Sequence, residues 1–460
     1  MKKNLILLFM LFCITLFLPL YAQESTSDES AEYADPGVYS EPDENINEIR
    51  NRARVDTSLD GDQQPEKQDV FGEGFQPERQ KINYSHTRQH FEIGFNFDFA
   101  SHNNSFATGD LFQRNLVIDL NKFKNNVPNS GYSAHLDGGS GFYVDIKNIN
   151  ISEGLWDFGF FMGVDSYANM NIPKSLIILM ADGNIKQHFF KGTISTSAAV
   201  FTDAGLSGSA QYGKLRLGLK PALFAPLIFI PKSGITYTLD TEKYVKLTTS
   251  GEISMYSPLP FSQENDRFSE LQTGADVSLE GEYALLSFLD IGGVLSRIPI
   301  APARVQNRMY LTMKKLEFEL DVLKGQTTDS PEIDFDEPGY DSAGYNVYRP
   351  LRFDAYARFK LLNDSEILVL RPNIGASVDI NEGQGYFNAG LELQSTLVDD
   401  MIKLHLGTGY EDNAWKHRLG FAFNVRVFEQ FAEFTFQSEN FAGSLSGYGY
   451  GLNLGTRFGW

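Results

Sequence analysis

Residues 91–99 read Phe91-Glu92-Ile93-Gly94-Phe95-Asn96-Phe97-Asp98-Phe99, apolar at every odd position and polar or small at every even one. A β-strand sends successive side chains to opposite faces, so this stretch is a strand with one greasy, mostly aromatic face and one polar face. The same two-residue period returns along the chain. Trp156, Phe158, Phe160, Met162 and Val164 oppose Asp157, Gly159, Gly163 and Asp165. Leu215, Leu217 and Leu219 oppose Arg216, Gly218 and Lys220, and Leu351, Phe353, Ala355, Ala357 and Phe359 oppose Arg352, Asp354, Tyr356, Arg358 and Lys360. Leu391, Leu393 and Leu397 oppose Glu392, Gln394 and Thr396, and Leu419, Phe421, Phe423, Val425 and Val427 oppose Lys416, Arg418, Asn424 and Arg426.

A secreted β-sandwich also alternates, so a second feature has to decide between sandwich and membrane barrel. The polar face here carries charges and glycines freely, while the apolar face is unusually aromatic, the inversion demanded by lipid outside and a polar lumen inside. The C-terminus agrees. Tyr448, Tyr450, Leu452, Leu454, Thr456, Phe458 and Trp460 alternate with Gly447, Gly449, Gly451, Asn453, Gly455, Arg457 and Gly459. A strand ending on a terminal aromatic resembles the insertion signal read by the outer-membrane barrel assembly machinery, with Phe458 and Trp460 as its apolar positions. Glycine on the inner face of such a strand marks a place where something packs closely.

Met1-Lys2-Lys3 followed by the nearly uninterrupted apolar run Leu5–Leu20 and a small residue at Ala22 has the layout of a cleaved secretory signal peptide, residues 1–22. Cys13, the one cysteine of the 460-residue chain, lies inside it, behind a Phe12 that fits a lipoprotein signal poorly. Residues 23–80 hold sixteen acidic and five basic residues, about half of the formal net charge of −20. Such a segment buries little apolar surface, so 23–89 is expected to be a solvated, acidic leader or, in its second half, a hatch entering the lumen. The acidic balance argues against a nucleic-acid partner. No downstream run is long and apolar enough for a membrane helix, so any span there is made of strands.

From Phe91 to Trp460 there are 370 residues, which at roughly 26 per strand and connection gives about 14 strands, with 12 to 16 as bounds. The expectation is an all-β, transmembrane antiparallel barrel over residues 90–460, with short lumen or mouth helices and the leader before it. Asp399-Asp400 and Glu411-Asp412-Asn413 read as tight turns, and Lys324–Tyr348 as an extended loop. Two helices are expected, one over Ile172–Asn184 with Pro173 in its first turn and Gly183 at its end, the other over Asp110–Lys124. The helix ending in Gly183-Asn184, the strand pair Lys186–Lys220, and the later Glu282-Tyr283-Ala284, Asp290-Ile291-Gly292-Gly293 and Ile298-Pro299 together resemble the FadL-like family of long-chain fatty-acid channels in its spirochaete form. That resemblance implies a 14-stranded barrel with an N-terminal hatch, in the cell outer membrane, moving hydrophobic small molecules inward by diffusion.

No chemistry of an enzyme is legible. The histidines His86, His90, His102, His135, His188, His405 and His417 form no helical metal pair and no nucleophile-plus-base set. Asp334, Asp336, Glu337 and Asp341 lack the spacing of an EF-hand and read as a solvated acidic loop. No cofactor and no metal are expected, and a monomer in outer-membrane lipid is. The inward cations Arg216, Arg358, Arg418 and Arg426 are candidate substrate-binding residues for an anionic head group, or else partners of Asp354 and neighbouring inward acids. The functional alternatives are a surface-exposed adhesin or structural barrel, and a general porin. Deleting Trp460 is expected to block membrane assembly while leaving export intact, which cell fractionation reads directly; normal insertion of the shortened chain would overturn the signal.

Overall fold

The computed structural model describes residues 90–459 apart from 109–119, 152–153, 184–188, 242–244, 259–271, 322–325, 328–338, 342, 363–364, 399–400 and 426. The expected signal peptide and leader, Arg426 and Trp460 lie outside the described residues.

The elements in chain order are β1 (Phe91–Asn103), α1 (Leu120–Asn126), β2 (Tyr132–Ile151), β3 (Gly154–Ile172), α2 (Lys174–Asp182), β4 (Phe189–Tyr212) and β5 (Leu215–Asp240). Then come β6 (Val245–Ser257), β7 (Gly274–Leu286), β8 (Leu289–Ala301), β9 (Ala303–Val305), β10 (Asn307–Asp321), β11 (Gln326–Thr327), β12 (Gly339–Asp341) and β13 (Tyr345–Val347). The chain ends with β14 (Leu351–Leu362), β15 (Ser365–Asp379), β16 (Gln384–Leu397), β17 (Ile402–Glu411), β18 (Ala414–Val425), β19 (Phe428–Ser438), α3 (Phe441–Leu445) and β20 (Gly449–Gly459). Fourteen of these strands, β1 to β5, β7, β8 and β14 to β20, close into one antiparallel barrel, and β20 returns to β1 in the register Glu92↔Gly459. Among the described residues no helix is long and apolar enough to cross a membrane; the strands do so.

The alternation read from the sequence decides which way each side chain points. Phe95, Phe97, Met162, Leu217, Leu219, Leu406, Leu419 and Phe434 face outward and are 49% to 53% exposed. Their polar neighbours Glu92, Asp290, Lys403 and His405 face the lumen and are buried. A contiguous apolar surface of that size is a lipid-facing belt. The protein is a transmembrane β-barrel.

Inner glycines do mark close packing. Gly94 lies opposite Tyr143 and Gly455 opposite Phe431, and a Cβ on either would fall within 2.2 Å and 1.8 Å of the facing ring. α2 occupies most of the expected helix, but Ile172 closes β3 instead, and Gly183, at φ 64°, ends the helix by donating its N–H to Leu179 O at 2.9 Å. Of the second expected helix only the end is described, as α1. Lys124 joins α1 to Asp182 of α2 at 2.5 Å, and Lys174 donates to Val127 O at 2.7 Å, so these two connections meet over the rim.

Both ends of the described barrel chain lie at the end closed by short turns such as 213–214 and 287–288, and the longer connections lie at the other. The turn at Glu411-Asp412-Asn413 is an exception to that asymmetry. One ten-residue strand, β17, separates it from 399–400, so it sits at the loop end. Asp412 and Asn413 have φ of 50° and 66°, as a two-residue type I′ hairpin requires. The rim is therefore low over β17 and β18 and tall over β4 and β5, which run 24 and 26 residues.

The tall side forks. Leu215–Phe224 of β5 pairs with β7, whereas Gly234–Asp240 pairs with β6, and between them only Phe229↔Tyr256 is bridged. Pro226 and Pro231 fall in that interval, and a residue without an N–H cannot donate to a ladder. Beyond the fork β6 continues the wall with β10.

Leu419 lies near the middle of β18 on the lipid face. Leu419→Arg is expected to cost about 2–4 kcal/mol of stability, measured by reversible unfolding from lipid vesicles in guanidinium; a loss below 1 kcal/mol (on the same scale) would place this face in water.

Candidate functional site

The apolar parity that points to lipid elsewhere inverts near the fork. Leu206 of β4 faces outward and is 61% exposed, whereas Ala199 and Phe201 of the same strand face inward and are buried. Phe224 and Phe229 of β5 and Tyr256 of β6 join them, and Tyr167 of β3, opposite Ala199, extends the patch. The result is an aromatic wall on the lumen side of the barrel, where the other strands show mainly polar and charged groups.

This wall is covered by the chain itself. β9 and β13 form a separate two-stranded sheet in the register Tyr345↔Val305 and Val347↔Ala303. Ala303, Val305 and Val347 are buried against the wall, and Tyr345 stands 5.1 Å from the ring of Phe229 and 5.2 Å from that of Tyr256. The expected extended loop Lys324–Tyr348 is corrected here: its last residues are an inner strand, because Tyr345 and Val347 bury their side chains against the aromatic wall.

Polar bonds pin the inner sheet. Arg304 donates its backbone N–H to Gln272 O at 3.1 Å. Asn381, in the turn between β15 and β16, accepts from the Tyr348 N–H at 2.9 Å and donates to its carbonyl at 2.7 Å. The strongest anchor is Arg349. Its Nε and Nη2 donate to the two oxygens of Asp276 on β7 at 2.7 and 2.8 Å, and Nη1 donates to Asp203 on β4. The guanidinium also lies 5.1 Å over the ring of Phe224 on the strand between them. Arg349 and Asp276 are each only 2% exposed, so three charges are held away from water by one another.

The three described candidate cations, Arg216, Arg358 and Arg418, lie in ion pairs. Arg216 meets Asp157 at 3.1 Å and Ser209 at 3.2 Å. Arg358 meets Glu282 at 3.1 Å and Asp290 at 3.6 Å, and Lys360 reaches Asp290 at 3.4 Å. Arg418 bonds Glu411 and stands 3.9 Å from Glu433, which also meets His405 at 3.0 Å. Phe458 is on the lipid face, its ring 5.3 Å from Phe428. In the loop-end turns two carboxylates are tuned in opposite directions. Burial pushes Asp412 up, but Arg352, Lys416 and the Ser377 hydroxyl outweigh it and hold the group below the usual carboxylate range. Glu382 is raised by burial and by Asp379, against a bond from Ser197 and the charge of Lys232.

Five of the histidines, His90, His102, His135, His405 and His417, are among the described residues. His102 and His135 face each other across β1 and β2 with ring centroids 4.9 Å apart, and His417 bonds Ser444 at 3.0 Å and Thr408 at 2.9 Å. Among the described residues no group of three or more His, Cys, Asp or Glu is arranged to hold a metal ion. Of the acidic loop only Asp341 is described.

Sequence reading missed Arg349, Asp203, Asp276 and the aromatic wall. The parity switch between Phe201 and Leu206 was the available signal. Nothing local marks Arg349, whose partners are 73 and 146 residues away.

No protein-family model matches the chain, and no curated protein matches it. Solved structures with a similar course of the backbone include the P. putida toluene transporter TodX, at 10% identity over 81% of this chain and 91% of that one, with a TM-score of 0.42. A Pseudomonas aeruginosa FadL homologue is similar at 10% identity over 80% and 90%, with a TM-score of 0.41. The beta domain of the Bordetella autotransporter BrkA is similar at 8% identity over 80% and 99%, with a TM-score of 0.28. At these values the likeness is of barrel to barrel.

Removing one member of a buried charge group leaves the others uncompensated. Arg349→Met is therefore expected to lose about 3–5 kcal/mol of stability. The triple variant Asp203→Asn, Asp276→Asn, Arg349→Met should recover most of that loss, read by the same guanidinium unfolding; equal losses in both would show that the pairing is not what anchors the segment.

Proposed function

We propose that the protein is an outer-membrane channel of the FadL-like kind, through which hydrophobic small molecules pass by diffusion from the loop end into the lumen. The observation that carries this reading is the aromatic wall formed by Tyr167, Phe201, Phe224, Phe229 and Tyr256 inside an otherwise polar barrel. A water-filled general porin has no use for apolar area turned inward, since burying it against an internal segment narrows the passage. A ligand site for apolar molecules is a concave surface of this composition with a few placed polar groups at its edge. Asp379, whose negative charge bears on the Tyr167 hydroxyl, supplies such a group at the loop end of the wall.

No covalent chemistry is assigned. The charged groups toward the turn end, among them Arg358, Glu282 and Asp290, oppose straight passage of an apolar molecule, because displacing paired charges in a confined space is costly. Apolar cargo is accordingly held on the aromatic wall.

The test is saturable binding of the fluorescent apolar probe 1-N-phenylnaphthylamine to the purified full-length barrel. Replacing Phe229 with Ser is expected to weaken that binding by about 10-fold, the worth of one buried aromatic contact. Large unselective conductance in planar bilayers without probe binding would instead make the protein a general porin. Neither binding nor conductance would leave the adhesin or structural barrel.

A further inference from the structure

We propose that Asp203, Asp276 and Phe224 form a cation subsite, filled in this structure by the chain's own Arg349, and that the ligand of the aromatic wall is an apolar monocation that takes the place of that guanidinium. The proposal rests on the reading of the wall as a ligand site and adds the charge of the ligand to it.

The geometry is that of a receptor for a cation. Two carboxylates from β4 and β7 converge, across the lumen face of β5, on a single planar cation, with an aromatic ring beneath it. Ring faces attract cations, most strongly where water is excluded. Both carboxylates are nearly inaccessible, 7% exposed for Asp203 and 2% for Asp276. Leaving them there unpaired is costly, so Arg349 leaves most readily in exchange for another positive charge.

The chain couples that charge to the apolar cover. Val347 lies two residues before Arg349, and Tyr345 two before that, so withdrawing the guanidinium from its cradle also draws β13 off the wall. The ligand that replaces the segment at least cost supplies both a cation for the cradle and an apolar body for the rings of Phe201, Phe229 and Tyr256. A neutral molecule leaves Asp203 and Asp276 uncompensated, and a carboxylate adds a third negative charge.

The surroundings push the same way. Asp137 stands opposite Tyr167 in the β2–β3 register, Asp165 follows on β3, and Asp379 and Glu382 lie at the loop-end edge. The cations at this level among the described residues include Arg297, bonded to Asp165 at 2.7 Å, Lys232, which acts on Glu382, Arg304 of β9, and Arg308, which stands opposite Tyr256 and bonds Glu252. With Asp203, Asp276 and Glu252 added to the four acids above, seven acids face these four cations once Arg349 is displaced, and the field favours a positive ligand.

Three probes that share one aromatic body separate the possibilities: benzyltrimethylammonium, benzyl alcohol and benzoate, titrated calorimetrically into the full-length barrel. Benzyltrimethylammonium is expected to bind at least about 10-fold tighter than benzyl alcohol, with benzoate weakest. In the triple variant Asp203→Asn, Asp276→Asn, Arg349→Met, which keeps the packing and removes the charges, that preference should disappear. Benzyl alcohol or benzoate binding the native protein as tightly as the cation would overturn the exchange while leaving the aromatic site standing. So would a cation preference that survives in the triple variant, or phenylnaphthylamine binding with no binding of any of the three. Failure of all four probes would instead remove the ligand site itself.

Discussion

Inside lipid a backbone N–H or C=O that finds no partner costs several kcal/mol, and no water is present to supply one. Strands meet that constraint only by pairing on both sides, which means closing on themselves. The pairing of Phe458 with Ile93, and so of β20 with β1, is the bond row that turns an open sheet into a barrel. Once the sheet is closed it has an inside and an outside. The two-residue period of every strand then has only one acceptable sense, with Phe95 and Leu419 in lipid and Glu92 and Arg418 in the lumen.

That sense fixes the electrostatics in turn. Charged side chains crowded into a lumen are stable there only as partners. Arg457 meets Glu92 and Glu429, Lys147 also meets Glu92 at 2.8 Å, and Arg371 meets Glu392 at 3.4 Å while stacking 4.1 Å over Tyr356. A cation that reads as available from strand parity alone is therefore committed once the neighbouring strands are known. Parity says which face Arg216 occupies; it cannot say that Asp157, two strands away, reaches it.

The barrel itself was legible because it depends on local signals repeated many times. Alternation in 91–99, the glycine-rich inner face of 447–459, and Pro173 with Gly183 around α2 each act over a few residues, and each is found in the structure where the pattern places it. The strand number followed from length. What was not legible depends on pairing across long separations. β5 changes partner at its prolines, β8 is joined in the wall to β14 across an intervening stretch of 49 residues, 302–350, and the end of that stretch turns inward. Tyr345-Asn346-Val347 is too short to carry a periodicity, so its burial against Phe229 and Tyr256 has no signature of its own. Arg349 is likewise one basic residue before a proline until β4 and β7 bring Asp203 and Asp276 to it.

In an inside-out protein an inward aromatic is as anomalous as a carboxylate in a soluble core, and two kinds can be told apart. Tyr143, Tyr356 and Phe431 each lie over a glycine on the adjoining strand, Gly94, Gly292 and Gly455, where a missing side chain leaves room for one ring. Those rings fill local space and have polar neighbours: the hydroxyls of Tyr143 and Tyr356 donate to Glu92 at 2.6 Å and Glu282 at 2.5 Å. Phe224 also lies over a glycine, Gly274, but it belongs to a contiguous patch spread over β3, β4, β5 and β6. No single glycine accounts for that patch. It needs a cover, and the cover comes from a distant segment held by charge rather than by the strand ladder of the barrel. Ladder bonds in a closed sheet cannot be given up one strand at a time, whereas a side-chain ion pair can be exchanged for another ion. The aromatic wall is thus closed by the kind of contact that a ligand is able to replace.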